Sequence, residues 1–193
     1  MIEEIFMKRN QVVLIYGLPA SGKYTVAKEI QKQCGGILLD NHYFFDMFIG
    51  MTENTDEEWY KYASYVGAVR RAFLNVLQHF YTKERNTRYI FTAALLREER
   101  LPARLRKFAQ SINADFIPIE LKVRPEVLLA RCDTKARRER KKLHDKNRYN
   151  DLLKQWLPSA FHSRHPNKLI LDSSELSLEE TVEQIKQYLK KFD

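Results

Sequence analysis

Cysteine is scarce in this chain. The two present, Cys34 and Cys132, form neither a disulfide framework nor a paired metal-binding motif, so a reducing, cytoplasmic setting is expected. No apolar run approaches the ~18 residues needed to cross a bilayer, and Met1-Ile2-Glu3-Glu4 lacks the basic start and apolar core of a secretory signal. No membrane partner is expected. There is no internal repeat and no low-complexity stretch. With 44% hydrophobic and 12% aromatic residues over 193 positions, the chain holds enough apolar material for one well-cored domain spanning 1–193.

Acidic residues are outnumbered, 25 against 33 basic, for a net charge of +8. Such a balance raises nucleic acid as a partner. The distribution argues otherwise: between Arg131 and Arg148 nine Lys and Arg face three acids, a local +6 that leaves only +2 for the rest. Charge packed into one short segment suits a small polyanion held in one place, whereas a nucleic-acid track spreads its charge over a face.

The polyanion is indicated by the run Gly17-Leu18-Pro19-Ala20-Ser21-Gly22-Lys23-Tyr24-Thr25. A loop that wraps phosphates must aim several backbone N–H groups inward, which calls for glycine at its first and sixth positions. The lysine then adds a positive charge over the β- and γ-phosphates. The apolar, β-branched run Gln11–Tyr16 precedes the loop as a strand, and Val26, Ala27 and Ile30 give the following helix an apolar stripe. That helix points its positive end at the same anions. ATP is the expected ligand, with Lys23 on the exposed lip of the loop. Tyr24 stands where a Ser or Thr hydroxyl would touch Mg²⁺, and the hydroxyl comes one residue later in Thr25. One residue along a helix turns a side chain by about 100°, so Thr25 does not replace that ligand and its hydroxyl should fall near the α-phosphate.

Strands and helices alternate along the chain. Strand 11–16 leads to a helix over 22–34 that Gly35-Gly36 stops, then to strand 37–40. A long helix is expected from about Trp59 to Thr82, with Trp59, Tyr62, Val66, Val69, Phe73, Leu77 and Phe80 at helical spacing. Strand 89–95 precedes a helix opened by Pro102, and strand 119–123 begins after Pro118, which cannot donate a ladder bond. Pro125 opens a short helix, a polar helix covers about 147–157, and Leu169–Asp172 is the last strand. Ser177 and Glu180 make a capping box for a final helix with Leu178, Val182, Ile185 and Leu189 facing inward. Five apolar strands separated by helices imply a three-layer α/β/α fold around a five-stranded parallel sheet.

Asp40 ends the second strand, where ligands bind in open α/β sheets. A carboxylate there could accept a proton from a substrate hydroxyl, hold Mg²⁺ through water, or simply cap its loop. His42 is apt as a base near pH 7 and equally apt as a satisfied loop histidine. The aromatic stretch His42-Tyr43-Phe44-Phe45-Asp46-Met47-Phe48, with Trp59 and Tyr62, reads as core or as the lining of an acceptor pocket in a helical region spanning 41–85. Arg70 and Arg71 read as exposed helix residues or as contacts for an anionic acceptor.

The spacing G-x-P-x-x-G-K-x-T resembles that of adenylate kinases. With Asp40 and the basic segment, the whole chain resembles the nucleoside-monophosphate-kinase and shikimate-kinase group of P-loop phosphotransferases, including small AAA-like or shikimate-kinase-like ATPases with an Asn-His pair after the second strand. The resemblance implies ATP and Mg²⁺ as cofactors, with the metal held by phosphates, waters and an acidic residue matching Asp40. It implies a lid over 131–148, with Arg131 against the adenine and Arg137 and Arg138 on the phosphates, closing when phosphates neutralise it. The turn Asp172-Ser173-Ser174-Glu175 would lie beside the adenine. The third strand departs from the pattern, carrying Thr92-Ala93-Ala94-Leu95-Leu96 in place of an Asp-Gly-Phe-Pro-Arg or Gly-rich sequence, so neither group's acceptor carries over. The expected activity is transfer of the γ-phosphate of ATP to a hydroxyl or phosphate of a small molecule, with Lys23, Asp40, Arg137 and Arg138 catalytic. The alternatives are a nucleotide-binding protein or slow NTPase acting through a partner, and a nucleic-acid-end kinase. The oligomeric state stays open.

Overall fold

Seven consecutive buried residues form the central strand β1 (Asn10–Tyr16) of the computed structural model, which describes residues 9–49, 56–81, 87–94, 100–139 and 142–193. Its apolar stretch, Val12–Tyr16, is what a strand needs when helices cover both its faces. Helix α1 (Lys23–Cys34) follows and ends at Gly35. Gly36 has φ 109°, and a Cβ there would stand 2.5 Å from the Arg88 carbonyl oxygen, so only glycine fits where the chain enters β2 (Ile37–Asp40). Then come α2 (His42–Ile49), α3 (Asp56–Tyr81), β3 (Arg88–Ala93), α4 (Arg100–Ser111), β4 (Ala114–Lys122), α5 (Pro125–Cys132), α6 (Lys135–Glu139), α7 (Lys146–Trp156), β5 (Leu169–Asp172) and α8 (Leu178–Leu189). The strands are all parallel in the order β2-β3-β1-β4-β5, which is the five-stranded sheet expected.

Alternation along β1 divides the core. Val12, Leu14 and Tyr16 face α3 and α4 through Leu74, Leu77, Leu105 and Phe108. Val13 and Ile15 face α1 and α8 through Val26, Ile30, Val182 and Ile185. Each fully buried side chain of this size contributes about 1.5–3 kcal/mol, so the two layers carry most of the stability. A third, smaller cluster stands apart: Leu128, Cys132, Tyr149 and Leu153 of α5 and α7 pack against Leu18 and Ala20. The capping box of α8 is formed as expected, Ser177 accepting from the Glu180 N–H and Glu180 from the Ser177 N–H.

Several boundaries differ from expectation. β4 begins at Ala114, and Pro118 lies inside it, opposite Leu14 of β1. The even-numbered carbonyls of β4 face β5, since Lys122 accepts from the Ser173 N–H and Phe116 from Asn167 Nδ2. Pro118 therefore turns its nitrogen toward β5, which pairs only from Ile119 onward, and no ladder bond is lost. Helix α4 opens two residues before Pro102, which needs no N–H partner in a first turn, and β3 stops at Ala93 rather than continuing to 95. The basic segment is not one loop: it holds the end of α5, all of α6 and the start of α7. Leu95, Leu96, Arg140, Lys141 and the side chains of Trp59 and Tyr62 lie outside the described residues.

Candidate active site

Three positive-φ positions bend the chain between β1 and α1: Gly17 at 153°, Ala20 at 64° and Gly22 at 87°. At Gly17 a Cβ would stand 2.5 Å from the Leu121 carbonyl oxygen, because the loop leaves β1 hard against the backbone of β4. Ala20 holds a left-handed conformation that costs a non-glycine residue about 1–2 kcal/mol. Strain of this kind persists where surrounding structure fixes it, and here Ser21 is buried with its N–H on the Leu18 carbonyl at 3.2 Å. Gly22 caps α1 without any side-chain acceptor, and the first turn holds no acid. The first-turn N–H groups of α1 thus have neither a side-chain cap nor an acid of their own turn, the arrangement that suits phosphate.

Lys23 is half-buried rather than on an exposed lip. Its Nζ donates to the Leu18 carbonyl at 2.6 Å and to Ser21 Oγ at 3.3 Å. Burial pulls its ammonium down to about 7, and the charges of Lys142 and Arg137 press the same way, against Asp40. Asp40, buried at the carboxyl end of β2, pairs in register with Thr92 of β3. Thr92 Oγ1 donates to Asp40 Oδ1 at 2.5 Å, and the His42 N–H approaches the same oxygen at 3.3 Å. The two donors orient the carboxylate at the mouth of the sheet, and His42 contributes through its backbone.

The acceptor side is built on α2 and α3. Phe44 is core, edge-on to Phe73 at 5.3 Å, while Tyr43 and Met47 are exposed. Arg70 is half-buried, donates Nη2 to Asn41 Oδ1 and lies over the Phe44 ring at 5.8 Å, whereas Arg71 is exposed. Burial, with Arg104 nearby, lowers the Arg70 guanidinium to about 10, and its buried Nε has no hydrogen-bond partner.

The basic segment reaches the loop through its helices. Buried Tyr149 donates its hydroxyl to the Pro19 carbonyl at 2.5 Å, and burial raises its phenol above the ordinary range. Arg137 donates Nε to the Cys132 carbonyl at 2.9 Å and Nη2 to the Leu143 carbonyl at 2.6 Å, and burial lowers its guanidinium. Arg138 forms a two-pronged pair with Asp133 at 2.7 and 2.8 Å on the exposed side. Arg131 Nη2 donates to the Ser173 carbonyl at 3.3 Å, which joins the end of α5 to the turn after β5. In that turn Ser173 is buried, and Ser174 Oγ donates to Asp172 Oδ1 and accepts from the Arg124 N–H.

The fold thus gathers the loop 17–25, Lys23 and Asp40 in one place and Arg131 with Ser173 and Ser174 in another. Thr92, Lys142 and Tyr149 were not singled out as site residues from the sequence. Thr92 could have been found from its place at the end of the third strand; Lys142 and Tyr149 carry no local signal beyond their basic surroundings. Among the described residues no group of three or more His, Cys, Asp or Glu side chains stands together, and no helix is long and apolar enough to cross a membrane. The donor set fits a Mg²⁺ that travels with phosphates, Asp40 being the acid whose charge bears on Lys23.

A parallel sheet of this order, with a phosphate loop after its central strand and an acid at the end of the second, defines a P-loop kinase-like α/β protein. A family model described as AAA domain matches residues 12–157, and the chain belongs to that family. No curated protein matches it. Among solved structures it is similar to a gluconokinase from Sinorhizobium meliloti 1021 (16% identity, TM-score 0.60, covering 94% of this chain and 92% of that one). It is likewise similar to the Mycobacterium tuberculosis APS kinase in complex with AMPPNP and APS (18%, 0.59, 95% and 99%). The third is a shikimate kinase from Bacteroides thetaiotaomicron (16%, 0.53, 93% and 98%). At these identities the likeness concerns the fold.

Proposed function

We propose that this protein is an ATP-dependent phosphotransferase that moves the γ-phosphate to a hydroxyl or phosphate of a small molecule. The observation that carries the reading is that the buried Asp40 at the end of β2 lies near enough for its charge to act on Lys23, at the end of α1 that has no side-chain cap. The loop N–H groups and Lys23 bind the phosphates, and Asp40, oriented by Thr92, accepts the proton of the attacking hydroxyl. Mg²⁺ would neutralise charge on the β- and γ-phosphates, with Asp40 holding it through water. Arg131 and the turn at Ser173 and Ser174 form the adenine side. Arg137 and Arg138 stabilise the transferring group once they leave their carbonyl and carboxylate partners. The half-buried Arg70, with its unpartnered Nε, favours an acceptor that brings negative charge.

A second reading, a slow NTPase working through a partner, is favoured by the bonds that engage Arg137 and Arg138 within the segment itself and by the missing acid at the end of β3. Incubation with γ-labelled Mg-ATP, pooled small metabolites and an oligonucleotide separates the readings. Label on a metabolite is the expected result, free phosphate alone selects the NTPase, and label on the oligonucleotide selects an end kinase. Asp40→Asn should lower transfer by about 10²-fold or more while ATP still binds.

A further inference from the structure

A tyrosine directly after the loop lysine has a visible partner. The Nζ of Lys142 stands 5.5 Å from the centroid of the Tyr24 ring, on the first turn of α1. Lys142 projects from a braced turn: its N–H donates to the Arg137 carbonyl at 2.9 Å, its own carbonyl lies 2.9 Å from His144 Nδ1, and the next carbonyl takes Arg137 Nη2. The ring face of Tyr24, negative by its quadrupole, suits an ammonium and not the metal that a hydroxyl at this place would serve. Lys142 is also the charge that bears most strongly on Lys23, ahead of Arg137. The like charges of Lys142 and Lys23 act on one another beside a helix end with no acid in its first turn, and a polyanion placed there would be attracted by both.

We infer that Lys142 is a phosphate-binding residue of the nucleotide site, positioned by the ring of Tyr24, and that it meets the charge of the phosphates beyond the first. The inference rests on the nucleotide reading above. In this arrangement an organic cation does part of the charge neutralisation, so nucleotide binding should depend little on Mg²⁺.

Calorimetric titration with ATP, inorganic triphosphate and AMP, each in EDTA and in Mg²⁺, tests it, with circular dichroism confirming that every variant is folded. The wild type should bind ATP in EDTA within about threefold of its affinity in Mg²⁺. Lys142→Gln should lose about tenfold or more for ATP and triphosphate in EDTA, the loss expected for one charge-assisted contact, while AMP binding stays within twofold. Tyr24→Phe keeps the ring and should match the wild type, whereas Tyr24→Thr should lose as much as Lys142→Gln in EDTA. The double variant should be no weaker than either single one, because the two residues act as a unit. Lys154→Gln, an exposed change on α7, is the control and should bind as wild type. Lys142→Gln binding ATP in EDTA as the wild type does, while Lys23→Met abolishes binding, overturns the inference and leaves the nucleotide reading standing. A wild type that binds no nucleotide overturns both.

Discussion

Lys23 is the residue through which pH should act. Its ammonium is pulled from the ordinary 10.5 to about 7, so between those values the folded protein has lost a proton that the unfolded chain keeps. Stability rises with pH wherever the unfolded state binds more protons, so Lys23 should make the free protein more stable as pH climbs from about 7 toward 9, above which the raised Cys132 thiol and the raised phenols of Tyr16 and Tyr149 act the other way. Phosphate favours the charged lysine and reverses this. ATP binding at pH 8 should take up a proton, and affinity should fall as pH rises above 7. Titrations in two buffers of different ionisation enthalpy measure the uptake, and Lys23→Met should abolish the uptake and flatten the rise in stability between about pH 7 and 9. At Gly17 a side chain has no room against the Leu121 carbonyl and φ is 153°. Gly17→Ala should therefore cost about 2 kcal/mol or more in urea denaturation and weaken ATP binding with it. An alanine variant as stable as the wild type would refute the close approach of loop and β4.

At the scale of elements, Tyr149 links α7 to the loop. Its ring belongs to the small cluster with Leu128, Cys132 and Leu153, and its hydroxyl ends on the Pro19 carbonyl. Tyr149→Phe keeps the ring and removes one buried hydrogen bond, so stability should fall by about 1 kcal/mol, and ATP affinity should fall as the loop loses an anchor. Unchanged binding with lowered stability would make Tyr149 a core residue only. The elements were largely legible because their signals are local: the apolar run of β1, the stop at Gly35-Gly36, and the capping box at Ser177 and Glu180. Pro118 misled because the cost of a proline in a strand depends on which neighbour its nitrogen faces, and that is fixed by where β5 begins to pair. Arg70 was ambiguous for a like reason, since spacing along α3 does not say which side Phe44 and Asn41 cover.

At the scale of the whole molecule, what was legible of the candidate site is the part contiguous in sequence, the loop from Gly17 to Thr25, together with Asp40 at a strand end. Thr92, Lys142 and Tyr149 join it only because strand order and the packing of α7 bring distant segments to the carboxyl ends of the strands. The same packing refines the behaviour of the basic segment. A run of nine cations and three acids repels itself, which argues for closing on phosphate, yet Tyr149 and Leu153 are buried against α5 and the loop. The two tendencies act on different parts. Amides of 146–153 should be protected from hydrogen exchange with or without ATP, while those of 133–139 and 142–145 should gain protection when ATP binds. Arg137→Gln with Arg138→Gln should then lower kcat more than ATP affinity, because contacts made as the phosphoryl group transfers act on the transition state. Arg137→Gln alone should also cost stability, since it leaves two carbonyls without their donor, while the exposed pair of Arg138 with Asp133 should contribute little, about 0–1 kcal/mol. Fast exchange over 146–153 in the free protein would mean that α7 is not docked on the loop. Normal turnover in the double variant would make the basic run a solvated face or a partner's docking surface, and the slow-NTPase reading would then take precedence.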